Sequence, residues 1–517
     1  MGYAKVRSVA LVGVTGQLVM VEADVAAGLP NLVVSGLPDA SVHESRDRVR
    51  AAIVNSGERW PQQRITVNLL PAHLPKHGSG YDMAVAVAVL AGAGVLPIAA
   101  LDGVVLLGEL GLDGTVRPVR GVLPAVLAAV RGGVGRVVVP LANAAEADLV
   151  PGVTVRAADT LRRLIDFIRG ADRLLDPPRA EQPPAEPGTD LADVVGQERG
   201  RWAVELAAAG GHHLALFGPP GAGKTMLAQR LPSVLPALDD EAALEVTAVH
   251  SIAGVLPAAS PLVRRPPFQA PHHTATTAAL VGGGSGIARP GAVSLAHRGV
   301  LFLDEAPLLP ASALDALRQP LEDGEVRLRR SGGETVFPAR VQLVLAANRC
   351  PCAKPAGDQH CECSTVVRRR YLSRLSGPLL DRVDLQVTLE PVGAATLLGD
   401  LTAAEPSEVV AKRVAAARLA AANRWSALCR TAGAPAGRAA GLCNAMVPSP
   451  VLRRPPFRLA RSTSEILVRA LDRGVLSARG YDRVTRVAWT IADLDGRDRP
   501  TAEDLAEALE LREGTPT

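Results

Sequence analysis

Aromatic residues are scarce in this chain. Phe, Trp and Tyr make up 3% of the 517 residues, although hydrophobic residues as a whole reach 48%. We therefore expect a large core built mainly from Ala, Val and Leu, and the composition excludes a wholly disordered chain. The same scarcity argues against base stacking as the main contact with any nucleic acid. At this length, two to four domains are expected.

An excess of charge of one sign is also missing. The formal net charge is +4 at pH 7 and the isoelectric point is near 8.8. Any affinity for nucleic acid would therefore have to come from local basic patches, because the chain as a whole produces no strong field.

We expect neither a secretion signal nor a membrane span. The apolar run after Lys5 and Arg7 is short and ends at Thr15 without a cleavage site. Residues 83–101 are uncharged over a length that can cross a bilayer, but Pro97 and two glycines favour a buried helix followed by a turn. We expect a cytoplasmic protein with no membrane partner, in which clustered cysteines are metal ligands or redox groups and not disulfides.

A proline-rich stretch divides the chain. Residues 176–189 contain five prolines without apolar periodicity, which is typical of a semi-rigid linker. We predict four segments: an N-terminal domain over 1–172, the linker over 173–190, a central domain over 191–398 and a C-terminal domain over 399–517. Apolar strands at 213–217, 300–303 and 341–347 predict a parallel α/β sheet in the central domain. Helical periodicity over 407–425 and 461–512 predicts a helical C-terminal domain.

The motif GPPGAGKT follows the first of these strands and begins a helix. Its glycines allow backbone N–H groups to surround phosphate oxygens, and the helix N-terminus adds a positive dipole end. Lys224 is expected to contact the β- and γ-phosphates, and Thr225 to bind Mg²⁺. A chance match in a Gly/Pro turn is the alternative, and the flanking strand and helix argue against it. The expected nucleotide-binding residues are Gly218, Pro219, Pro220, Gly221, Ala222, Gly223, Lys224, Thr225 and Met226.

Two carboxylates follow the strand VLFL. Asp304 and Glu305 stand at its carboxyl end, where ligands bind in open α/β sheets. We expect Asp304 to hold Mg²⁺ and Glu305 to act as the general base that polarises the attacking water. Asn348 ends the third strand, where it serves either as a turn former or as the residue that orients this water. Together with the glycine-rich loop, these residues predict ATP hydrolysis.

These motifs resemble the Walker A, Walker B and sensor-1 elements of AAA+ ATPases. The segments RPPFQAPHHT (265–274), RPGAVSLAHRGVLFLDE (289–305) and SGPLLDRVDL (376–385) are similar to the YifB/ComM group of magnesium-chelatase-like AAA+ proteins. The resemblance implies an arginine finger at Arg382, with Arg374 as a competitor, and a sensor-2 arginine at Arg479, with Arg483 as the alternative. A finger acts on the neighbouring subunit's nucleotide, so a homo-oligomeric ring is implied, and a hexamer is expected.

The resemblance also implies a helix-2 insert over roughly 245–295 and a hairpin before sensor 1. His272 and His273 lie in the insert, and without a carboxylate or cysteine partner nearby we expect a structural or pore-loop role for them and not a metal site. The alternating stretch 325–340 predicts a β-hairpin. In the magnesium-chelatase and MCM-like branch of AAA+ proteins, which this insert resembles, the hairpin projects into the pore and contacts DNA, so its arginines would bind phosphates. A solvated edge protected by charge is the alternative. The expected DNA-binding residues are Arg327, Arg329 and Arg330.

The N-terminal domain resembles the Lon-protease-like fold of the ribosomal-protein-S5 type, through residues 74–91 and 116–130. The positions of the Lon Ser–Lys dyad fall on Gly80 and Leu123, and Ser79 has no identifiable lysine partner. We therefore expect a proteolytically inactive domain that serves assembly or partner docking.

Three functions remain open. ComM-type relatives imply a helicase that drives branch migration in DNA uptake or recombination. A motor subunit of magnesium-chelatase type, acting on a protein partner, is the second hypothesis, and an ATP-dependent protease is the third.

Four of the six cysteines lie between residues 350 and 363, just after Asn348. Four soft ligands in one loop are sufficient for tetrahedral Zn²⁺, although the C-x-C spacing is tighter than the usual C-x₂₋₄-C. A redox pair and reduced thiols without a ligand are the alternatives. The expected zinc ligands are Cys350, Cys352, Cys361 and Cys363.

Overall fold

The computed structural model describes ten stretches of the chain, which together include most of its length. They are residues 2–37, 39–178, 188–257, 261–284, 288–330, 333–354, 361–375, 377–393, 404–431 and 442–513. Half of the predicted linker therefore lies outside the described residues.

A seven-stranded mixed sheet forms the centre of the N-terminal region. The strands here are Gly2–Val12 (β1), Thr15–Ala26 (β2), Asn31–Ser35 (β3), Arg64–Leu70 (β4), Val104–Leu106 (β5), Glu109–Leu110 (β6), Val116–Arg117 (β7), Arg136–Pro140 (β8) and Thr154–Ala158 (β9). The sheet order is β3-β4-β2-β1-β5-β8-β9, with β6 and β7 paired as a separate ribbon. Strand β2 runs antiparallel to β1 and β4, and the other neighbours are parallel. The helices are Ala40–Asn55 (α1), Asp82–Gly92 (α2), Val122–Arg131 (α3), Ala144–Ala147 (α4) and Leu161–Ile168 (α5).

The uncharged stretch at 83–101 forms a buried helix and a turn, which confirms that prediction. Helix α2 is buried over its whole length and packs against β1 and β2. Its Ala and Val side chains belong to the core cluster together with Met83 and Leu90. The chain then turns at Gly94, whose φ angle is +75°. None of the helices that the structure describes is long and apolar enough to cross a membrane.

The central region contains a five-stranded parallel sheet. The strands here are Leu214–Phe217 (β10), Phe268–Gln269 (β11), Gly282–Gly283 (β12), Arg289–Pro290 (β13), Val300–Leu303 (β14), Glu325–Arg330 (β15), Gly333–Pro338 (β16), Gln342–Ala347 (β17) and Leu385–Thr388 (β18). The order in the sheet is β11-β14-β17-β10-β18, and every neighbouring pair is parallel. The helices are Glu198–Gly210 (α6), Lys224–Val234 (α7), Asp240–Ala253 (α8), Thr277–Val281 (α9), Ala292–Leu295 (α10), Ala311–Ala316 (α11), Arg318–Asp323 (α12), Thr365–Leu372 (α13) and Gly377–Leu380 (α14).

The three predicted strands of this sheet and the predicted hairpin are confirmed. Strands β15 and β16 pair antiparallel, with Arg330 opposite Gly333, and the turn between them lies outside the described residues. The start of the predicted insert falls inside helix α8, which continues to Ala253. This helix is capped by the Asp239 side chain and ends at Gly254 in a left-handed conformation.

The C-terminal region is helical, as predicted, but the stretch 461–512 is divided into three helices. The helices here are Ser407–Thr431 (α15), Ser449–Leu452 (α16), Arg461–Asp472 (α17), Ala478–Leu494 (α18) and Ala502–Glu513 (α19). Val414, Leu467 and Val487 are fully buried in one apolar cluster with Leu206 and Leu216 of the central region. The helical region therefore shares a core with the sheet.

The N-terminal region packs against helix α8 of the central region. Ala248 of α8 is buried in the same apolar cluster as Val122 and Val126 of α3. The backbone N–H of Gly121 donates to the Ser251 carbonyl oxygen at 3.3 Å. The β1–β2 turn meets β16 as well, since a Cβ on Gly13 would lie 2.7 Å from a backbone oxygen of that strand. The sequence predicted a linker but gave no indication of this docking.

Candidate active site

The glycine-rich loop connects strand β10 to helix α7. Strand β10 ends at Phe217 and α7 begins at Lys224. Gly221 and Gly223 have φ angles of +79° and +87°, in the left-handed region that residues with a Cβ rarely adopt. The loop can therefore present its N–H groups to an anion at the start of α7.

The side chain of Lys224 is buried beneath this loop. Its Nζ donates hydrogen bonds to the carbonyl oxygens of Gly218 and Pro219, both at 2.8 Å, and to Oδ1 of Asn348 at 2.9 Å. Burial lowers the pKa of Lys224, and two nearby carboxylates act in the opposite direction. An ammonium whose three acceptors are neutral oxygens is suited to receive a phosphate.

Thr225 and Asp304 contact each other between the loop and strand β14. The Thr225 hydroxyl donates to Oδ2 of Asp304 at 2.9 Å, and the backbone N–H of Glu305 donates to Oδ1 of Asp304 at 2.9 Å. Mg²⁺ takes hard oxygen ligands and keeps several waters, so a hydroxyl and a carboxylate at this distance fit such an ion.

Sheet order explains why these side chains meet. Strand β17 lies between β14 and β10, and all three run parallel, so their carboxyl ends form one edge. The glycine-rich loop follows β10, Asp304 and Glu305 follow β14, and Asn348 follows β17. The edge therefore carries a loop whose N–H groups can face an anion, a hydroxyl–carboxylate pair that fits Mg²⁺, and a second carboxylate.

Glu305 contacts a histidine that we did not place in the site. Nδ1 of His273 lies 3.3 Å from Oε2 of Glu305. We expected no carboxylate near the insert histidines, and that expectation is wrong. His273 and Glu305 each come four residues after a paired position, Gln269 and Leu301. That equal spacing could have indicated the contact, but only if the pairing of β11 with β14 had been known.

Gln197 is a second residue that we did not place in the site. Its Nε2 donates to the carbonyl oxygen of Ala222 at 3.0 Å and also to the carbonyl of Glu390. The side chain thereby ties the glycine-rich loop to the segment after β18. A lone glutamine before a helix gives no sequence signal for this role.

The two finger candidates differ in their surroundings. Arg382 has a side chain 15% exposed, pairs with Glu322, and donates to the Pro378 carbonyl at 2.7 Å. Arg374 is exposed and forms no ion pair within the described ranges. Neither arginine makes a hydrogen bond or ion pair with the glycine-rich loop of its own chain in that part of the structure.

The two sensor-2 candidates differ more strongly. Arg483 donates to Oδ1 of Asp384 at 2.6 Å and to the carbonyl of Arg382 at 2.9 Å, so it is engaged inside the fold. Arg479 is 74% exposed, and its nearest carboxylate oxygen, on Asp381, is 3.9 Å away. The exposed Arg479 is the one free to turn toward a ligand.

The hairpin arginines are paired locally. Arg329 is 84% exposed, and its Nε donates to Glu334, its direct neighbour across the hairpin, at 3.1 Å. Arg327 donates to Glu325 at 2.8 Å, and the side chain of Arg330 lies outside the described residues. Ion pairs between exposed side chains are weak, so Arg327 and Arg329 can exchange their glutamate partners for phosphate groups.

The four clustered cysteines converge in the loop after Asn348. Their sulfur atoms all lie within 4.8 Å of one another. The Sγ of Cys350 is 3.1 Å from that of Cys352 and 3.0 Å from that of Cys361. Zn–S bonds of about 2.3 Å in a tetrahedron place sulfurs about 3.8 Å apart. The Cys352–Cys361 separation of 3.7 Å matches this value, whereas the two distances from Cys350 are shorter. The donor set fits a Zn²⁺ ion, and binding would require Cys350 to move slightly away from its neighbours.

Three family models match this chain, and all three concern magnesium chelatase. "Magnesium chelatase, subunit ChlI" matches residues 190–397, which contain the site described above. "Subunit ChlI of Mg-chelatase" matches residues 21–143, and "Magnesium chelatase, subunit ChlI C-terminal" matches residues 404–512.

Relatives match over nearly the full length. An uncharacterized protein of Mycobacterium tuberculosis is 54% identical over 515 residues, which are 99% of each chain. YifB of Escherichia coli is 40% identical over 512 residues, 99% of this chain and 97% of YifB. Competence protein ComM of Haemophilus influenzae is 40% identical over 522 residues, 99% of this chain and 98% of ComM. The chain belongs to the YifB/ComM family.

Membership confirms the predicted family and fold class: a Lon-like N-terminal region, a magnesium-chelatase-type AAA+ core and a helical C-terminal region. It makes the chain a motor protein of the AAA+ class, which uses ATP and Mg²⁺. The donor groups at the sheet edge fit both of these ligands. The domain boundaries and the roles of individual residues stay predictions.

The Lon resemblance is partial. Lon protease of Rhizobium meliloti is 28% identical over 204 residues, which are 37% of this chain and 25% of that protein. Ser79 contacts Glu109, and the Nζ of the nearby Lys76 contacts a backbone carbonyl instead of Ser79. No lysine contacts Ser79 in the part of the chain that the structure describes.

Proposed function

We propose that this member of the YifB/ComM family hydrolyses ATP in a ring and uses the energy to remodel DNA. The observation that carries the ATPase part is the convergence of Lys224, Thr225, Asp304, Glu305 and Asn348 at three adjacent strand ends. Side chains suited to bind phosphate, Mg²⁺ and a water molecule all lie there next to one another.

Each side chain has a chemical task in this proposal. Lys224 exchanges its loop carbonyls for β- and γ-phosphate oxygens, while Thr225 and Asp304 hold Mg²⁺, which neutralises phosphate charge when bound. Glu305 accepts a proton from the attacking water, and Asn348 orients that water. The loop N–H groups from Gly218 to Thr225 hold the phosphates in place.

We propose a homo-hexameric ring in the cytoplasm, with Arg382 as the finger and Arg479 as sensor 2. A finger must be able to leave its own subunit's contacts. Arg382 is held by the Pro378 carbonyl oxygen and by one carboxylate, that of Glu322, which is 60% exposed and therefore a weak partner. The exposure of Arg479 supports its choice over Arg483.

The proposed action on DNA is supported by the β15–β16 hairpin and by the name of one relative. The name of the Haemophilus influenzae relative, competence protein, refers to DNA uptake. The hairpin arginines stand on an exposed ribbon in weak pairs, an arrangement that suits phosphate contacts without sequence readout. A motor that acts on a protein partner is the second candidate, and the magnesium chelatase matches favour it.

ATP turnover with and without forked DNA separates these two functions. We expect DNA to stimulate turnover, and Arg329→Glu to raise the DNA concentration needed for half-maximal stimulation, because phosphate contacts are lost. The slope of log affinity against log salt should fall by about one for each lost contact. The matched control is Arg469→Glu, since Arg469 is exposed and also pairs with one glutamate. If forked and single-stranded DNA leave turnover unchanged, the protein-partner motor is favoured instead.

We also propose that Cys350, Cys352, Cys361 and Cys363 bind a structural Zn²⁺. The loop that they form joins Asn348 to the segment that ends at Arg382. A metal there would fix the connection between Asn348, which would contact the nucleotide of its own subunit, and Arg382, which would act on the nucleotide of the neighbouring subunit. The convergence of the four sulfurs supports this proposal over bystander thiols.

A further inference from the structure

Residues 381–384, which include Arg382, form a segment that the C-terminal region holds from two sides. We call it the finger segment. Arg512 of α19 donates from Nη1 to the Val383 carbonyl oxygen at 2.5 Å and from Nη2 to Oδ1 of Asp381 at 3.1 Å. The Arg512 side chain is only 11% exposed. A guanidinium is a rigid planar group, so two contacts in a largely buried position fix the backbone of the segment relative to α19.

A second arginine, Arg483 of α18, holds the other half of the finger segment. Its Nη1 donates to the Arg382 carbonyl oxygen at 2.9 Å and to Oδ1 of Asp384 at 2.6 Å. Asp384 is buried, and its Oδ2 accepts from the backbone N–H of His213, just before β10, at 3.1 Å. Each of the four residues of the segment therefore accepts a hydrogen bond from an arginine of the C-terminal region.

The side chain of Arg382 is held by other elements. Its guanidinium contacts Glu322 of α12 and the Pro378 carbonyl oxygen of α14, and neither residue belongs to the C-terminal region. The C-terminal helices therefore hold the backbone of Arg382 and leave its guanidinium able to exchange partners. Arg479 precedes Arg483 by four residues in α18, so the two lie on one face of that helix. A movement of α18 that follows nucleotide contact at Arg479 would therefore also move the finger segment.

We propose that Arg512 is a positioning residue, which together with Arg483 makes the finger follow the movements of the C-terminal region. This inference rests on the proposed role of Arg382 as the finger. A guanidinium that stabilises phosphate charge on a neighbouring subunit must be placed accurately, since a shift of about 1 Å in a reacting group is already costly. Through these contacts, the position of one subunit's C-terminal helices sets the rate of hydrolysis at the neighbouring nucleotide.

The test is ATP turnover of the full chain for Arg512→Ala and Arg512→Lys, with ATP affinity and ring size measured on the same samples. Arg512→Ala should lower kcat about ten- to hundredfold, as misplacement of a catalytic group does, and leave ATP affinity and ring size unchanged. Lys keeps the charge and a donor group, so Arg512→Lys should lose less.

The matched control is Arg413→Ala. Arg413 of α15 also joins the C-terminal region to the central region, but it does so through Glu205 of α6 and not through the finger segment. If Arg512 served only to attach the helical region, both alanine variants should lower turnover alike. Melting temperatures equal to that of the parent protein exclude misfolding as the cause of a lower kcat.

A double variant shows whether Arg512 acts through the finger. With Arg382→Ala already present, Arg512→Ala should cause little further loss of kcat, because the group that it positions is gone. Three results would overturn the inference: a parent-like kcat in Arg512→Ala, an equal loss in Arg413→Ala, or losses that multiply in the double variant. A parent-like kcat in Arg382→Ala alone would show that the finger assignment in the proposed function is wrong, and the inference would fall with it.

Discussion

At the scale of single residues, the site owes its form to a few buried and half-buried polar groups that satisfy each other. Lys224 is 8% exposed, and its ammonium donates to carbonyl and amide oxygens. Those acceptors are needed because an unpaired ammonium in this position would be costly. The same three contacts fix the ammonium at the carboxyl edge of the sheet.

The cysteine cluster gives a prediction at this scale. Freshly purified protein should contain about one Zn²⁺ per chain, and Cys361→Ser should lose it, because a structural site needs all four ligands. Metal analysis by mass spectrometry measures this directly. Cys443→Ser is the matched control, since Cys443 is a cysteine outside the cluster. Absence of zinc from the parent protein, or equal zinc in Cys361→Ser, contradicts the proposal.

Individual residues also show the limits of sequence reasoning. GPPGAGKT and VLFLDE combine local pattern with chemistry, so Lys224, Thr225, Asp304 and Glu305 could be selected before the structure was known. His273 and Gln197 could not be selected in this way. Their roles depend on the β11–β14 register and on the path of the chain after β18, and neither leaves a local signal.

At the scale of elements, the central strands with continuous apolar runs were predicted and the two-residue strand β11 was not. Strands β14 and β17 consist of buried residues throughout, which gives a strong pattern. Strand β11 has two residues, Phe268 and Gln269, and no periodicity can be read from two positions. The docking of α3 on α8 was equally hidden, because Ala248 and Ser251 are ordinary helix residues in sequence.

One buried carboxylate contributes to that docking, and it gives a second prediction. Glu146 accepts from the Leu123 N–H at 2.8 Å and from the Ser251 hydroxyl of α8, and burial raises the pKa of Glu146. Glu146→Ala leaves these donors unpaired, so the free energy of unfolding should fall by about 1–3 kcal/mol in urea titrations. The control Glu408→Ala removes an exposed glutamate and should change stability by less than about 0.5 kcal/mol. Equal stability of the two variants would contradict the role of Glu146.

At the scale of the whole molecule, one apolar core links the helical C-terminal region to the nucleotide-binding sheet. Leu467 and Val487 pack in the same cluster as Leu216 of β10, the strand that leads into the glycine-rich loop. A shift of this helical region on nucleotide binding would therefore be transmitted to the sheet. In the proposed ring, Arg479 of α18 would move with this region.

The central claim is that Glu305 activates water for ATP hydrolysis at this sheet edge. The most direct test is steady-state ATP turnover and nucleotide retention of Glu305→Gln beside a control, Glu510→Gln, which changes an exposed glutamate. The account predicts that Glu305→Gln still binds ATP. Its rate of ATP turnover should fall by about a hundredfold or more, because a general base contributes at least that factor. The control should match the parent protein. Normal turnover in Glu305→Gln would contradict the account.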